Sequence, residues 1–202
     1  MKDKKLYMIG NAHLDPVWLW QWQEGFQEAK ATFRSALDRM KESEDFIFTS
    51  SSAAMYEWIE NNDPAMFEEI RQRVREGRWH IVGGWWIQPD CNIPGGESFV
   101  RQGLYGQRYF KEKLGVTAKV GYNVDSFGHH GMLPQILKKA AWIITFSCVR
   151  CRTRRDCRDG CSGGNPTTAR GCSPSASCSS ICPGARSWTI MSGGRSASFA
   201  SR

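Results

Sequence analysis

Four times in the first 140 residues a short apolar run is followed by a longer stretch whose apolar side chains recur every three or four positions. The short runs are 6–9, 46–49, 78–82 and 119–124, each of the length of a buried strand. The stretches between them read as helices over 23–43, 53–76 and 98–114, with a fourth starting near Leu133. Phe26, Ala29, Phe33, Ala36, Leu37 and Met40 mark the apolar face of the first helix. Asp63-Pro64 breaks the second, while Gly77 and Gly115 stop the second and third. Strand–helix alternation of this kind dictates an α/β class with parallel strands and right-handed crossovers. It also says where to look for chemistry, because the functional loops of such folds leave the carboxyl ends of the strands.

Three of those loops are dense in chemically active side chains. The first carries His13, Asp15, Pro16, Trp18, Trp20 and Trp22. An imidazole and a carboxylate two residues apart lie on one side of an extended backbone and can meet at one metal ion. The same Asp15-Pro16 pair would equally serve as the cap of the following helix. The loop after the third strand, GGWWIQPDCNIPGGE, holds Asp90, Cys91 and Glu97; the loop after the fourth, DSFGHHGMLPQ, holds Asp125, Phe127, His129 and His130. Trp85 and Trp86 suit either packing beneath the sheet or contact with a ligand. Cys91 reads most simply as a small buried hydrophobe. Glu97 sits where a helix dipole favours a carboxylate, and the paired histidines read as support for a site rather than as ligands.

Three segments, NAHLDPVWLW, GGWWIQPDCNIPGGESFVRQ and GYNVDSFGHHGMLPQIL, together resemble the N-terminal catalytic region of the glycoside hydrolase family 38 α-mannosidases. The resemblance runs from about residue 5 to residue 140. It implies an incomplete (β/α)7-type barrel and one zinc ion held by His13, Asp15 and Asp125. It also makes Asp125 the catalytic nucleophile, sets Trp18 and Phe127 beside the sugar, and places Asp90 in the substrate pocket. The implied reaction is retaining hydrolysis of terminal α-linked mannose in a mannoside or oligosaccharide. Retention needs two carboxyl groups roughly 5–5.5 Å apart. The family's second carboxyl group and its fourth zinc ligand, a histidine, lie beyond the matched residues. Two other readings are another metal-dependent carbohydrate hydrolase, such as a polysaccharide deacetylase, and nucleic-acid binding by an arginine-rich tail.

Charge and cysteine content separate that tail from the rest. Residues 1–141 hold 18 basic and 18 acidic side chains, whereas residues 142–202 hold nine arginines and two aspartates. The whole formal charge of +7 therefore belongs to the tail, so it gives no reason to expect an anionic partner for the α/β part. Seven of the eight cysteines also lie in the tail, which has no Lys, Glu or Leu. An odd cluster without a secretion-like start is poor evidence for a disulfide framework. The expected organisation is a partial catalytic domain over 1–141 and a disordered Cys/Arg/Ser-rich segment over 142–202. A reading-frame slip near Ala140 accounts for the abrupt change. Codons can be chosen so that the shifted frame reads Met-Asp-Tyr-Tyr-Ile-Phe-Met-Arg-Pro, which continues the resemblance. On this reading the chain is a truncated, inactive fragment. No run is long enough for a bilayer span and nothing resembles a signal peptide, so a cytoplasmic setting is expected.

Overall fold

The computed structural model describes residues 8–126, 131–140, 142 and 144–148, the last five by backbone alone. Strands and helices alternate as β1 (Gly10–Asn11), α1 (Trp22–Glu42), β2 (Phe48–Ser50), α2 (Ala53–Asn62), α3 (Pro64–Arg75), β3 (Trp79–Ile81), α4 (Gly96–Leu114), β4 (Val120–Val124), α5 (Leu133–Lys139) and β5 (Ile144–Cys148). β1, β2 and β3 form one parallel ladder in chain order, with Asn11 opposite Thr49 and Thr49 opposite His80. β4 and β5 form a second parallel pair, from Val120 opposite Ile144 to Val124 opposite Cys148. Gly83 N–H donates to the Val120 carbonyl at 2.7 Å and links the end of the first ladder to the start of the second.

The first strand is not where apolar character places it. Met8 and Ile9 lie outside it and Met8 is largely exposed, while Leu6 and Tyr7 fall outside the described residues. Polar chemistry anchors β1 instead. Asn11 Nδ2 donates to the Thr49 carbonyl at 3.0 Å and to Thr49 Oγ1 at 2.9 Å, and Thr49 Oγ1 donates to the Gly10 carbonyl at 3.2 Å.

Alternation along β2 explains the two faces of the sheet. Phe48 points to the helices and Thr49 to the opposite side, where the Tyr122 hydroxyl donates to Asn11 Oδ1 at 2.7 Å. The main core fills the helix side with Phe33, Leu37, Tyr56, Ile59, Ile70 and Phe110 around Trp79. Trp79 meets the Phe33 ring edge-on at 5.2 Å, and its indole N–H donates to the Tyr56 hydroxyl at 2.9 Å. A smaller core gathers Trp85, Cys91, Phe99, Leu133, Leu137 and Trp142, with Trp85 and Trp142 centred 4.2 Å apart. Trp85 is thus a packing residue and Trp86 is half-buried against Tyr109.

Helix ends follow the sequence closely. Glu24 accepts from the Gln21 N–H at 3.0 Å at the start of α1. Asp63 accepts from the Met66 N–H at 3.1 Å, with Pro64 in the first turn of α3. Two glycines allow backbones to touch: a Cβ at Gly25 would lie 2.1 Å from the Pro16 carbonyl oxygen, and one at Gly106 would lie 2.3 Å from that of Gly84. Gly25 therefore lets the loop after β1 lie directly on α1. Trp142 and β5 lie beyond residue 141, where the sequence suggests a boundary; residues 149–202 fall outside the described residues.

Candidate functional site

Parallel strands deliver their carboxyl ends to one side of a sheet. β1 hands the chain to His13 and Asp15, and β4 hands it to Asp125. Asn11 and Tyr122, two and three residues upstream of those groups, are hydrogen-bonded to each other, so the two strand tips are tied even though their backbones do not pair.

The result is a cluster of three. His13 Nε2 lies 3.2 Å from Asp15 Oδ1 and 3.9 Å from Asp125 Oδ2. This nitrogen is buried and makes no hydrogen bond, despite the nearby carboxylates. Asp15 and Asp125 are more open, with side chains 41% and 68% exposed. Asp125 also has a left-handed backbone, φ 57°.

Imidazole nitrogen and carboxylate oxygen are the donors zinc takes, and the orphaned nitrogen faces both carboxylates, so the set fits that ion in kind. Yet among the described residues no group of three His, Cys, Asp or Glu is arranged to hold a metal ion. Ligand atoms around a tetrahedral zinc sit roughly 3.3–3.5 Å apart, from bonds of about 2.0–2.2 Å. The His13–Asp15 separation meets that spacing; the His13–Asp125 separation of 3.9 Å exceeds it.

The other sequence candidates divide. Trp18 is 67% exposed and meets Trp20 edge-on at 5.4 Å. The Trp20 indole N–H donates to the Asp15 carbonyl at 3.1 Å, which folds the loop back on itself. Trp18, Leu19, Trp20, Gln21, Gln23 and Glu24 line an open depression that the cluster residues do not border. Asp90 Oδ1 accepts from the Asn92 and Ile93 N–H groups at 2.8 and 3.0 Å, so that oxygen closes a turn in its own loop. Cys91 is buried, as its sequence reading has it, and burial pushes its thiol up. Glu97 lies in the first turn of α4 and pairs with Arg101 at 2.9 Å. Phe127, His129 and His130 lie outside the described residues.

Sequence reasoning passed over Asn11, Thr49, Gln88, Tyr122 and Asn123. For Asn11, Thr49, Tyr122 and Asn123 the available signal was polarity at positions within strands, where a buried polar group must find a partner; Gln88 lies in a loop and gave none.

Residues 3–148 match the family model for the glycosyl hydrolases family 38 N-terminal domain. Alpha-mannosidase G of Dictyostelium discoideum is 34% identical over 134 residues, covering 66% of this chain and 12% of that protein. Human alpha-mannosidase 2C1 is 33% identical over 132 residues, covering 65% of this chain and 13% of that protein. The chain thus spans about an eighth of the length of these relatives. A crystal structure of an alpha-mannosidase from Enterococcus faecalis V583 superposes with a TM-score of 0.66 at 24% identity, covering 72% of this chain and 16% of that one, and so shares the fold.

Proposed function

Because the chain belongs to the glycosyl hydrolases family 38, as an N-terminal-domain sequence, we propose that it is the opening part of an α-mannosidase catalytic domain, acting on terminal α-linked mannose. The observation that carries this reading is the meeting of His13, Asp15 and Asp125 at the tips of β1 and β4, around an imidazole nitrogen with no hydrogen bond. The chain-order succession of β1, β2 and β3, followed by the β4–β5 pair, supports the opening of a (β/α)7-type barrel. A cytoplasmic setting and a mannoside or oligosaccharide substrate complete the proposal; among the described residues no helix is long and apolar enough to cross a membrane.

In this reading His13, Asp15 and Asp125 hold one zinc ion. Bound there, the ion supplies Lewis acidity toward sugar hydroxyls. In the full domain Asp125 would attack the anomeric carbon as the glycosidic C–O bond breaks, the departing oxygen taking its proton from a second carboxyl group; its exposed carboxylate is open to a substrate. Trp18 offers an exposed indole face for a sugar ring. Asp90 and Phe127 belong to the pocket by resemblance; one Asp90 oxygen closes the turn of its own loop. A retaining double displacement needs a second carboxyl group as acid and base. The reading assigns no such group among the matched residues 3–148.

Two measurements test the proposal. The purified chain should bind one zinc ion, with binding weakened at least tenfold in Asp125→Ala, and should show no sustained turnover of an aryl α-mannoside. Zinc binding indifferent to Asp125 removes the metal centre. Chelator-sensitive turnover at an enzymatic rate refutes the inactive-fragment part, and acetate release from an acetylated glycan in place of mannoside cleavage favours a deacetylase.

A further inference from the structure

The loop after β3 returns to β4 at its last residue. Once Gly83 N–H has bonded to the Val120 carbonyl, Gly83 and Gly84, both at positive φ (81° and 68°), turn the chain away. Along a strand the peptide groups of every second residue point to the same edge. Val120, Tyr122 and Val124 therefore present theirs toward the edge that β3 has left. Gln88 fills the gap at Val124. Its Oε1 accepts from the Val124 N–H at 3.1 Å, and its Nε2 donates to the Val124 carbonyl. A side-chain amide has the acceptor and donor of a peptide group, so Gln88 replaces one residue of a missing neighbour strand. Three residues on, buried Cys91 accepts a hydrogen bond from Asn123 Nδ2. Residues 88–91 thus grip both residues that precede Asp125, one by its backbone and one by its side chain.

The next residue is the one whose direction matters. Asp125 sits at φ 57°, in the left-handed region that glycine and, less freely, aspartate adopt. A strained conformation persists only where its surroundings over-determine it. β5 runs in register beside β4 as far as Val124 on the other edge, so with Gln88 in place the end of β4 has a neighbour on both sides.

We propose that Gln88 is a positioning residue for Asp125: by clipping Val124 it fixes the left-handed turn that aims the Asp125 carboxylate at His13. This rests on the assignment of Asp125 to the zinc centre, and the test separates the two. Zinc affinity of the full chain is measured by chelator competition for the wild type, Gln88→Met, Gln88→Glu and Asp125→Ala, together with Ile70→Val as a core control of lowered Tm. Amide hydrogen exchange is followed at Val124. Gln88→Met, which removes both hydrogen bonds, should weaken zinc binding about tenfold, the equivalent of one net hydrogen bond, and speed Val124 exchange. Gln88→Glu keeps the acceptor, loses the donor, and should fall between. Ile70→Val should bind zinc as the wild type does. If both Gln88 variants bind zinc like the wild type while Asp125→Ala binds weakly, the positioning role is overturned and the metal centre stands. Equal weakening by Ile70→Val reduces Gln88 to a general structural part and also overturns it. If Asp125→Ala itself binds normally, the zinc assignment and the positioning role fall together.

Discussion

At the scale of single residues, Asp125 carries a conflict between stability and chemistry. Its backbone occupies a region natural to glycine, yet its carboxylate is the group the site needs. Asp125→Gly should therefore leave the fold as stable or raise stability by up to about 1 kcal/mol in urea denaturation, while zinc binding collapses. A substantial loss of stability would mean that the side chain supports the fold through contacts, not strain. Part of this region is legible from sequence and part is not. His13 and Asp15 are two residues apart, and local geometry alone puts them on one side. Gln88 is a polar residue in a polar loop, and only the path of the chain shows that its amide meets Val124. Trp85 reads equally as packing or as ligand contact until burial beside Trp142 decides it.

At the scale of elements, punctuation reads better than apolar character. The Asp63-Pro64 break falls where α2 ends and α3 begins, because a carboxylate that accepts from the Met66 N–H and a proline in the first turn each favour a helix start. The Lys30 ammonium, and next the Met66 N–H, hold the Asp63 carboxyl below its usual range. Asp63→Ala should cost about 1 kcal/mol, read as a lower urea midpoint with an unchanged slope; an unaltered midpoint would show that packing alone sets the start of α3. β1 is the counter-example. The apolar run suggested a strand over 6–9, but pairing falls on Gly10 and Asn11, where the Asn11 amide and the Thr49 hydroxyl lock the register. Hydrophobic patterning cannot place a strand held by side-chain hydrogen bonds.

At the scale of the whole molecule, α1 and α3 are bound by a charged layer over the aromatic core. Arg34 makes a two-pronged contact with Glu69 at 2.8 and 3.1 Å and also pairs with Asp38, and Lys41 reaches Glu69 at 3.1 Å. The Arg34 guanidinium, opposed by partial burial and aided by Lys41, holds the Glu69 carboxyl below its ordinary value of about 4.3. A depressed carboxylate contributes stability that is complete above its unfolded value and lost as pH falls through the folded one. Stability should accordingly drop on acidification below about pH 4.3, and Glu69→Gln should flatten that drop in a series of thermal melts. An identical pH slope in the variant would exclude this pair as a source. What the sequence by itself determined is the α/β class, the order of elements, the helix ends and the pairing of His13 with Asp15, because each depends on contacts within a few residues. What the tertiary structure decided is the seating of β1, the left-handed turn at Asp125, the clip from Gln88, and the approach of Asp125 to His13 across 112 positions. Those depend on which strand edges meet, and strand register is a property of the folded chain that no local window of residues contains.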